Sequence, residues 1–149
     1  MICGVDANVL IYSAIDAMPE HKKVLAFFER RVLKGDITCA VSFPTLLEFI
    51  HITTDPKRFS PALTIEESLA IAEQYWQAAD WRQLIPKPTT GSRAFALLRE
   101  HKLGRKRLID TYLAATLLDH EITALITCDT SDFKTFTQLV ELINPLSNY

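Results

Sequence analysis

The chain of 149 residues contains little glycine and little cysteine, and each shortage excludes a class of site. Its four glycines are too few and too scattered for the glycine-rich loops of P-loop and dinucleotide-binding proteins. The three cysteines, Cys3, Cys39 and Cys128, form no CxxC pair, and their odd number does not suit a disulfide framework. We therefore expect buried thiols and a cytoplasmic location.

Long apolar runs and an excess of positive charge are also missing. No segment approaches the roughly 20 apolar residues of a membrane span, and the N-terminus has no basic leader, so neither a membrane anchor nor a signal peptide is expected. Sixteen basic and eighteen acidic residues give a formal net charge of −2. Taken alone, this balance argues against binding nucleic acid by bulk charge.

Short apolar runs alternate with longer segments of helical period, which predicts one α/β domain over residues 1–149 with a mainly parallel sheet. A capping box of Thr64 and Glu67 predicts one helix start, and Ser42 with Pro44 predicts another. The helix after Ser42 carries an apolar stripe that we expect to face the core, namely Phe43, Leu46, Leu47 and Ile50. The other predicted strands and helices are strands 2–5, 37–41, 82–85, 124–127 and 139–143, and helices 9–12, 20–33, 92–101 and 108–120.

Two acids directly follow predicted strands, Asp6 after the first and Asp129 after the fourth. The carboxyl ends of parallel strands form the ligand-binding edge of open α/β sheets, so the two acids share one crevice if their strands are neighbours. Ordinary roles also fit these residues. Asp6 suits a helix N-cap, and Asp129 suits a turn, with Asp132 capping the segment after that turn.

Two further acids, Asp110 and Glu48, lie on predicted helices. Asp110 lies in the most apolar helix, on a face expected to be core, where a lone carboxylate is unfavourable or becomes protonated. An ion pair with Arg107 or its basic neighbours is the alternative explanation. Glu48 lies at the edge of the apolar stripe and also suits a solvated helix position.

Several carboxylates that converge on one site raise one another's pKa unless a hard cation lies among them. Oxygen ligation fits Mg²⁺ or Mn²⁺, whereas zinc prefers histidine or cysteine, and the four histidines show no paired metal spacing. A carboxylate-held cation without a phosphate-binding loop suits hydrolysis of phosphodiesters, because the ion activates water and stabilises the leaving oxygen.

Four segments that carry these acids resemble, in the same order, the motifs of PIN-domain nucleases, and especially the VapC-type toxins of bacterial toxin–antitoxin pairs. The segments are residues 1–10 with Asp6, 42–49 with Glu48, 108–115 with Asp110, and 127–133 with Asp129 and Asp132. The resemblance covers nearly the whole chain. It implies a three-layer α/β/α sandwich around a mainly parallel sheet of four to five strands.

The resemblance also implies an endoribonuclease that is the toxin of a type II toxin–antitoxin system, forms a homodimer and is blocked by a cognate antitoxin. Asp6, Glu48, Asp110 and Asp129 are then the catalytic acids, and Asp6, Asp110 and Asp129 hold Mg²⁺ or Mn²⁺. Either Asp129 or Asp132 completes the pocket. We favour Asp129 because it lies nearer the end of the strand.

For the remaining polar residues of interest, either a role at the acidic site or a purely structural role fits the sequence. Asn8 and Thr127 either orient the pocket or serve a helix start and a strand. The densest basic run either guides RNA or forms a solvated turn, and it consists of Lys102, Arg105, Lys106 and Arg107. Setting aside the five acids of the resemblance leaves 16 basic and 13 acidic residues, so the net charge no longer excludes RNA.

Two alternatives to a nuclease stay open. A PIN-like module that binds RNA or a partner without cutting would have the same fold. A receiver-type signalling domain is another parallel α/β protein with an acidic metal pocket, but it needs adjacent acids after the first strand and a lysine after a late one. Asp6 has no acidic neighbour, and Asp129 stands where that lysine is wanted.

Overall fold

The computed structural model describes residues 1–147, which fold around a sheet of five parallel strands. In chain order the strands are β1 (Ile2–Val5), β2 (Thr38–Ser42), β3 (Arg82–Leu84), β4 (Ala124–Ile126) and β5 (Glu141–Ile143). Their order across the sheet is β3-β2-β1-β4-β5, and every neighbouring pair is parallel. The predicted parallel sheet is confirmed. The chain changes direction across the sheet between β1 and β4, where open α/β sheets place their ligands.

Within the described residues, six α-helices connect the strands. They are α1 (Ala7–Ala14), α2 (His21–Phe27), α3 (Phe43–Thr53), α4 (Ile65–Gln77), α5 (Thr90–Glu100) and α6 (Leu108–Asp119). The capping box predicted at Thr64 and Glu67 is confirmed, with both reciprocal hydrogen bonds formed. The helix predicted over residues 20–33 is α2 followed by a π-helical turn at Phe28–Val32. No helix within residues 1–147 combines the length and apolarity needed to cross a membrane.

The helices cover both faces of the sheet, because successive strand residues point to opposite sides. Cys39 and Ile126 belong to a core shared with α1 to α4, whereas Ala40 and Leu125 belong to a core shared with α5 and α6. This arrangement is the expected three-layer sandwich. The thiols of Cys3 and Cys39 are buried, and Cys128 is partly buried.

A close approach joins β1 to α6. A Cβ atom on Gly4 would lie 2.5 Å from Cδ2 of Leu117, so only glycine fits this strand position without displacing the helix side chain. Most of α6 is buried, including every residue from Leu113 to Leu117, while its first turn exposes Leu108 and Ile109. The prediction that α6 is buried holds for its body but not for its first turn.

The prediction for the apolar stripe of α3 was wrong in part. Leu46 is 2% exposed, but Phe43 and Leu47 are 50% and 54% exposed. The face of α3 that points inward is rotated and includes Thr45 and Phe49 instead. The Phe43 ring packs edge-on against Trp76, with ring centroids 5.4 Å apart, so this end of the stripe faces α4 rather than the sheet.

Candidate active site

Asp6 lies at the carboxyl end of β1 and is 7% exposed. It is the N-cap of α1, since its Oδ1 accepts a hydrogen bond from the Ala7 amide at 2.8 Å. Its other oxygen, Oδ2, accepts hydrogen bonds from Thr127 Oγ1 at 2.8 Å and from Asn8 Nδ2 at 3.1 Å. The capping role therefore uses one carboxylate oxygen and leaves the second within a polar network.

The same network joins the ends of β1 and β4. The Asp6 amide donates to the carbonyl of Ile126 at 3.0 Å, and the Cys128 amide donates to Asn8 Oδ1 at 3.0 Å. Asn8 Nδ2 also lies 3.3 Å from Thr127 Oγ1. Side chains that are held from several sides have fixed orientations. Asn8 and Thr127 consequently fix the direction in which the Asp6 carboxylate points.

Glu48 on α3 and Asp110 on the first turn of α6 line one small pocket together with Asp6. The helix that carries Glu48 begins at the carboxyl end of β2, where Ser42 caps it and bonds Thr45 through its hydroxyl at 2.8 Å. The structure therefore brings together three of the four predicted catalytic acids, which come from separate parts of the sequence.

The three carboxyls share an environment that disfavours their charges. Burial is the largest cause in each case, and it raises the pKa of Asp6 and of Asp110 to about 6. Burial also raises the pKa of Glu48, and the charge of Asp110 raises it further. Asp6 and Asp110 are additionally affected by other carboxylates. Clustered acids with raised pKa values are typical of functional sites.

Asp129 and Asp132 differ in what they contact. Asp129 Oδ1 accepts a hydrogen bond from the Ser131 hydroxyl within the turn after β4, which is the ordinary role left open for it. Asp132 Oδ1 lies 2.6 Å from Arg107 Nη1, and the same nitrogen lies 3.5 Å from Asp110 Oδ2. The charge of Asp132 also contributes to the raised pKa of Asp6, Glu48 and Asp110.

The donor set decides which cation suits the pocket. As placed within residues 1–147, no three histidine, cysteine, aspartate or glutamate side chains are close enough together to hold one ion. The chemistry of the donors nevertheless fits a hard divalent cation, because Asp6, Glu48 and Asp110 offer only oxygen, and their pKa values are raised by burial first and by neighbouring carboxylates second.

Comparison with known proteins identifies the family of this chain. The PIN domain family model matches residues 4–138. The chain belongs to the PIN-domain family. The receiver-domain alternative is thereby excluded.

This PIN domain has relatives among curated proteins and solved structures. Ribonuclease VapC24 of Mycobacterium tuberculosis is 25% identical over 89% of this chain and 90% of its own length. VapBC-1 from nontypeable Haemophilus influenzae has a TM-score of 0.67 at 19% identity, covering 99% of this chain and 100% of that one. A toxin–antitoxin complex from Klebsiella pneumoniae has a TM-score of 0.60 at 18% identity, covering 98% and 99%. The structural matches bear out the predicted fold.

The four residues of the basic run in this PIN domain have different surroundings. Lys102, Arg105 and Lys106 are exposed around the 3₁₀ turn that precedes α6. Arg107 instead turns toward the acids and pairs with Asp132 and Asp110. The ion pair suggested for Asp110 is therefore present, although Asp110 also lines the pocket with the other acids.

Sequence reasoning missed three polar residues that line the pocket of this PIN domain, namely Ser42, Thr45 and Tyr112. Ser42, like Asp6, lies at the carboxyl end of a parallel strand, where ligands bind. Its pattern was interpreted only as a helix cap. Tyr112 is two residues beyond Asp110 on an apolar helix, and its sequence context gave no signal.

Proposed function

We propose that the protein is a Mg²⁺- or Mn²⁺-dependent endoribonuclease and the toxin of a type II toxin–antitoxin system. The observation that carries this proposal is the convergence of Asp6, Glu48 and Asp110, each with a raised pKa, at the carboxyl edge of the sheet. Membership of the PIN family and 25% identity to Ribonuclease VapC24 over most of both chains support RNA as the substrate.

The acids have distinct proposed roles. Asp6 and Asp110 would hold the cation, because Asp6 caps α1, Asp110 lies on the first turn of α6, and both line the pocket. Such an ion, when bound, lowers the pKa of water and stabilises the leaving oxygen of a phosphodiester. Glu48, with its raised pKa, is placed to accept a proton at its carboxylate.

We propose Asp132 rather than Asp129 as the fourth acid. Its support is electrostatic and geometric, because its charge acts on all three other acids and Arg107 joins it to Asp110. Asp129, which the sequence favours, would then help to shape the turn, where its amide donates to Thr127 Oγ1 at 3.2 Å. Asn8 and Thr127 would hold Asp6 in its reactive orientation.

The proposal includes partners and a location. The toxin–antitoxin complex from Klebsiella pneumoniae supports a cognate antitoxin that covers the site. Exposed apolar residues at the pocket side, such as Leu108 and Ile109, support a homodimer, which light scattering of the purified protein would detect.

A cytoplasmic ribonuclease fits the three unpaired cysteines. The exposed cations Lys102, Arg105 and Lys106 would contact the RNA backbone.

The decisive experiment measures cleavage of total RNA by the purified protein. We expect cleavage with Mn²⁺ or Mg²⁺, loss of cleavage in EDTA, and at least a roughly hundredfold lower rate for Asp110→Asn. Asp80→Asn is the matched control, since Asp80 is exposed and lies outside the pocket. Full cleavage in EDTA would refute the metal-dependent mechanism. Binding of Mn²⁺ and RNA without any cleavage would instead identify a non-catalytic PIN module.

A further inference from the structure

A second cavity lies beside the acidic pocket. It is open to solvent, has a volume of about 360 Å³, and is lined by Asn8, Tyr12, Met18, Arg58, Phe59 and two isoleucines. This volume is within the range of small-molecule binding sites. The cavity lies between α1, the loop after α1 and the segment after α3.

A hydrogen bond links a residue of the cavity to a residue of the acidic pocket. Asn8 lines the cavity while its Nδ2 donates to Asp6 Oδ2 at 3.1 Å. On the other side, the positive charge of Arg58 is close enough to Glu48 to lower the pKa of that carboxyl, against the larger effect of burial. A ligand in the cavity would therefore lie next to a group bound at the acids.

The lining selects the chemistry of the occupant. Tyr12 and Phe59 provide aromatic rings, and Met18 and the isoleucines provide apolar surface. The amide of Asn8 is already engaged through both its nitrogen and its oxygen. A flat, apolar-faced group suits this lining, because aromatic side chains stack on the faces of unpaired bases with little regard to their identity.

Arg58 adds a charge at the edge of this cavity. Its Nε lies 3.7 Å from Asp55 Oδ2, and its side chain is 61% exposed. An exposed guanidinium at the rim can bind a phosphate bidentately while its partner Asp55 limits its motion. The combination of stacking surface with a cation at its rim complements a nucleotide more closely than it complements an apolar protein segment.

We infer that this cavity binds one unstacked nucleobase of the RNA, next to the phosphodiester at the acidic pocket, with Arg58 on the adjoining phosphate. This inference rests on the proposed ribonuclease function and adds a substrate subsite to it. The subsite requires single-stranded RNA at that position, because a base within a duplex cannot enter the cavity.

The test uses wild-type protein with Mn²⁺ and a set of single-stranded oligoribonucleotides that share one cleavage site. Each oligonucleotide carries a single abasic position, moved by one nucleotide across that site. We expect one position beside the cut at which the missing base lowers kcat/KM roughly tenfold or more, mainly through KM, because a base–aromatic stack is lost.

Variants then assign that position to the cavity. Phe59→Leu keeps an apolar side chain but removes the ring, so it should cut the intact oligonucleotide less well and no longer distinguish it from the abasic one. Arg58→Gln should raise KM, whereas Arg82→Gln, an exposed arginine at the start of β3, should not. Melting temperatures check that each variant is folded.

The outcomes separate this inference from the proposed function. If wild-type protein cuts no oligonucleotide or total RNA, both are overturned. If it cuts RNA but no abasic position matters, or if Phe59→Leu retains the full abasic penalty, the base subsite is overturned while the nuclease stands. In that event the occupant of the cavity would be a protein segment rather than a nucleobase.

Discussion

The guanidinium of Arg107 lies 2.6 Å from the carboxylate of Asp132. The same nitrogen lies 3.5 Å from Asp110, one of the two proposed cation ligands. A side-chain cation on these acids opposes a divalent cation, both by repulsion and by engaging oxygen atoms that the ion would use. The positive charge nearest the acids is thus expected to weaken metal binding rather than support it.

Arg107→Gln should therefore bind Mn²⁺ more tightly than the wild type. Because exposed ion pairs contribute little free energy, the expected decrease in Kd is at most roughly fivefold. Isothermal titration calorimetry measures it directly. Arg105→Gln is the matched control, since Arg105 is an exposed neighbour on the same turn. Weaker Mn²⁺ binding by Arg107→Gln would contradict the expectation.

Without a divalent cation, stability should fall as the pH rises from about 4 through 6. The pKa of Asp6 and of Asp110 is raised from 3.8 to about 6, so over this range the folded protein holds protons that the unfolded chain has lost. The loss is on the order of 3 kcal/mol per carboxyl at most. Melting in EDTA at pH 5 and pH 7.5 tests the sign.

Two controls accompany this pH measurement. Asp110→Asn should show a weaker pH dependence, and Mn²⁺ at pH 7.5 should restore the melting temperature of the wild type. The pKa of Asp119 is lowered by hydrogen bonds from Thr90 and by Arg93, so its contribution is lost on acidification below about pH 4, outside this window. Equal stability in EDTA at both pH values would contradict the proposed electrostatics.

Thr127→Val should impair the site without disturbing the fold. The substitution preserves shape but removes the hydroxyl that donates to Asp6 Oδ2 and helps to lower the pKa of that carboxyl. We expect about 1 kcal/mol lower stability, a lower kcat with little change in KM, and a rate profile shifted to higher pH. Thr137→Val, at an exposed threonine, is the control and should leave the pH profile unmoved.

Gly4→Ala should destabilise the fold by about 1–3 kcal/mol, because the new methyl group would overlap Leu117 on α6. Gly91→Ala is a matched control in open space within α5, where alanine favours the helix and stability should stay the same or rise. Urea unfolding measures both changes. If shortening Leu117 to Ala does not reduce the effect of Gly4→Ala, the cost has another origin.

The parallel sheet and the positions of Asp6 and Asp110 could be predicted from sequence because each depends on local pattern. An acid directly after an apolar strand and an acid within an apolar helix are visible one segment at a time. The orientation of α3 was predicted incorrectly, because Phe43 and Leu47 match a core stripe but contact or adjoin α4 instead. Helical period indicates which residues share a face, not which neighbour that face contacts.

Which of Asp129 and Asp132 lies nearer the other acids could not be predicted from sequence either, because the difference depends on a long-range contact. Nearness to the strand end favoured Asp129, but the 3₁₀ turn at Thr130–Phe136 carries Asp132 back toward Arg107. That contact joins residues 25 positions apart, and nothing in the local sequence distinguishes the two acids. The cavity at Tyr12 and Phe59 likewise combines segments whose sequences show no shared motif.

The hydrogen bond between Thr127 and Asp6 spans 121 positions of the chain. During translation, Asp6 leaves the ribosome early, whereas β4 and Thr127 emerge only when most of the chain has been made. The central strand then still lacks the neighbour that completes its edge, and the Asp6 carboxylate lacks a fixed direction. A nascent chain that ends before Thr127 therefore carries the first acid of the cluster but lacks the hydrogen bond that orients it.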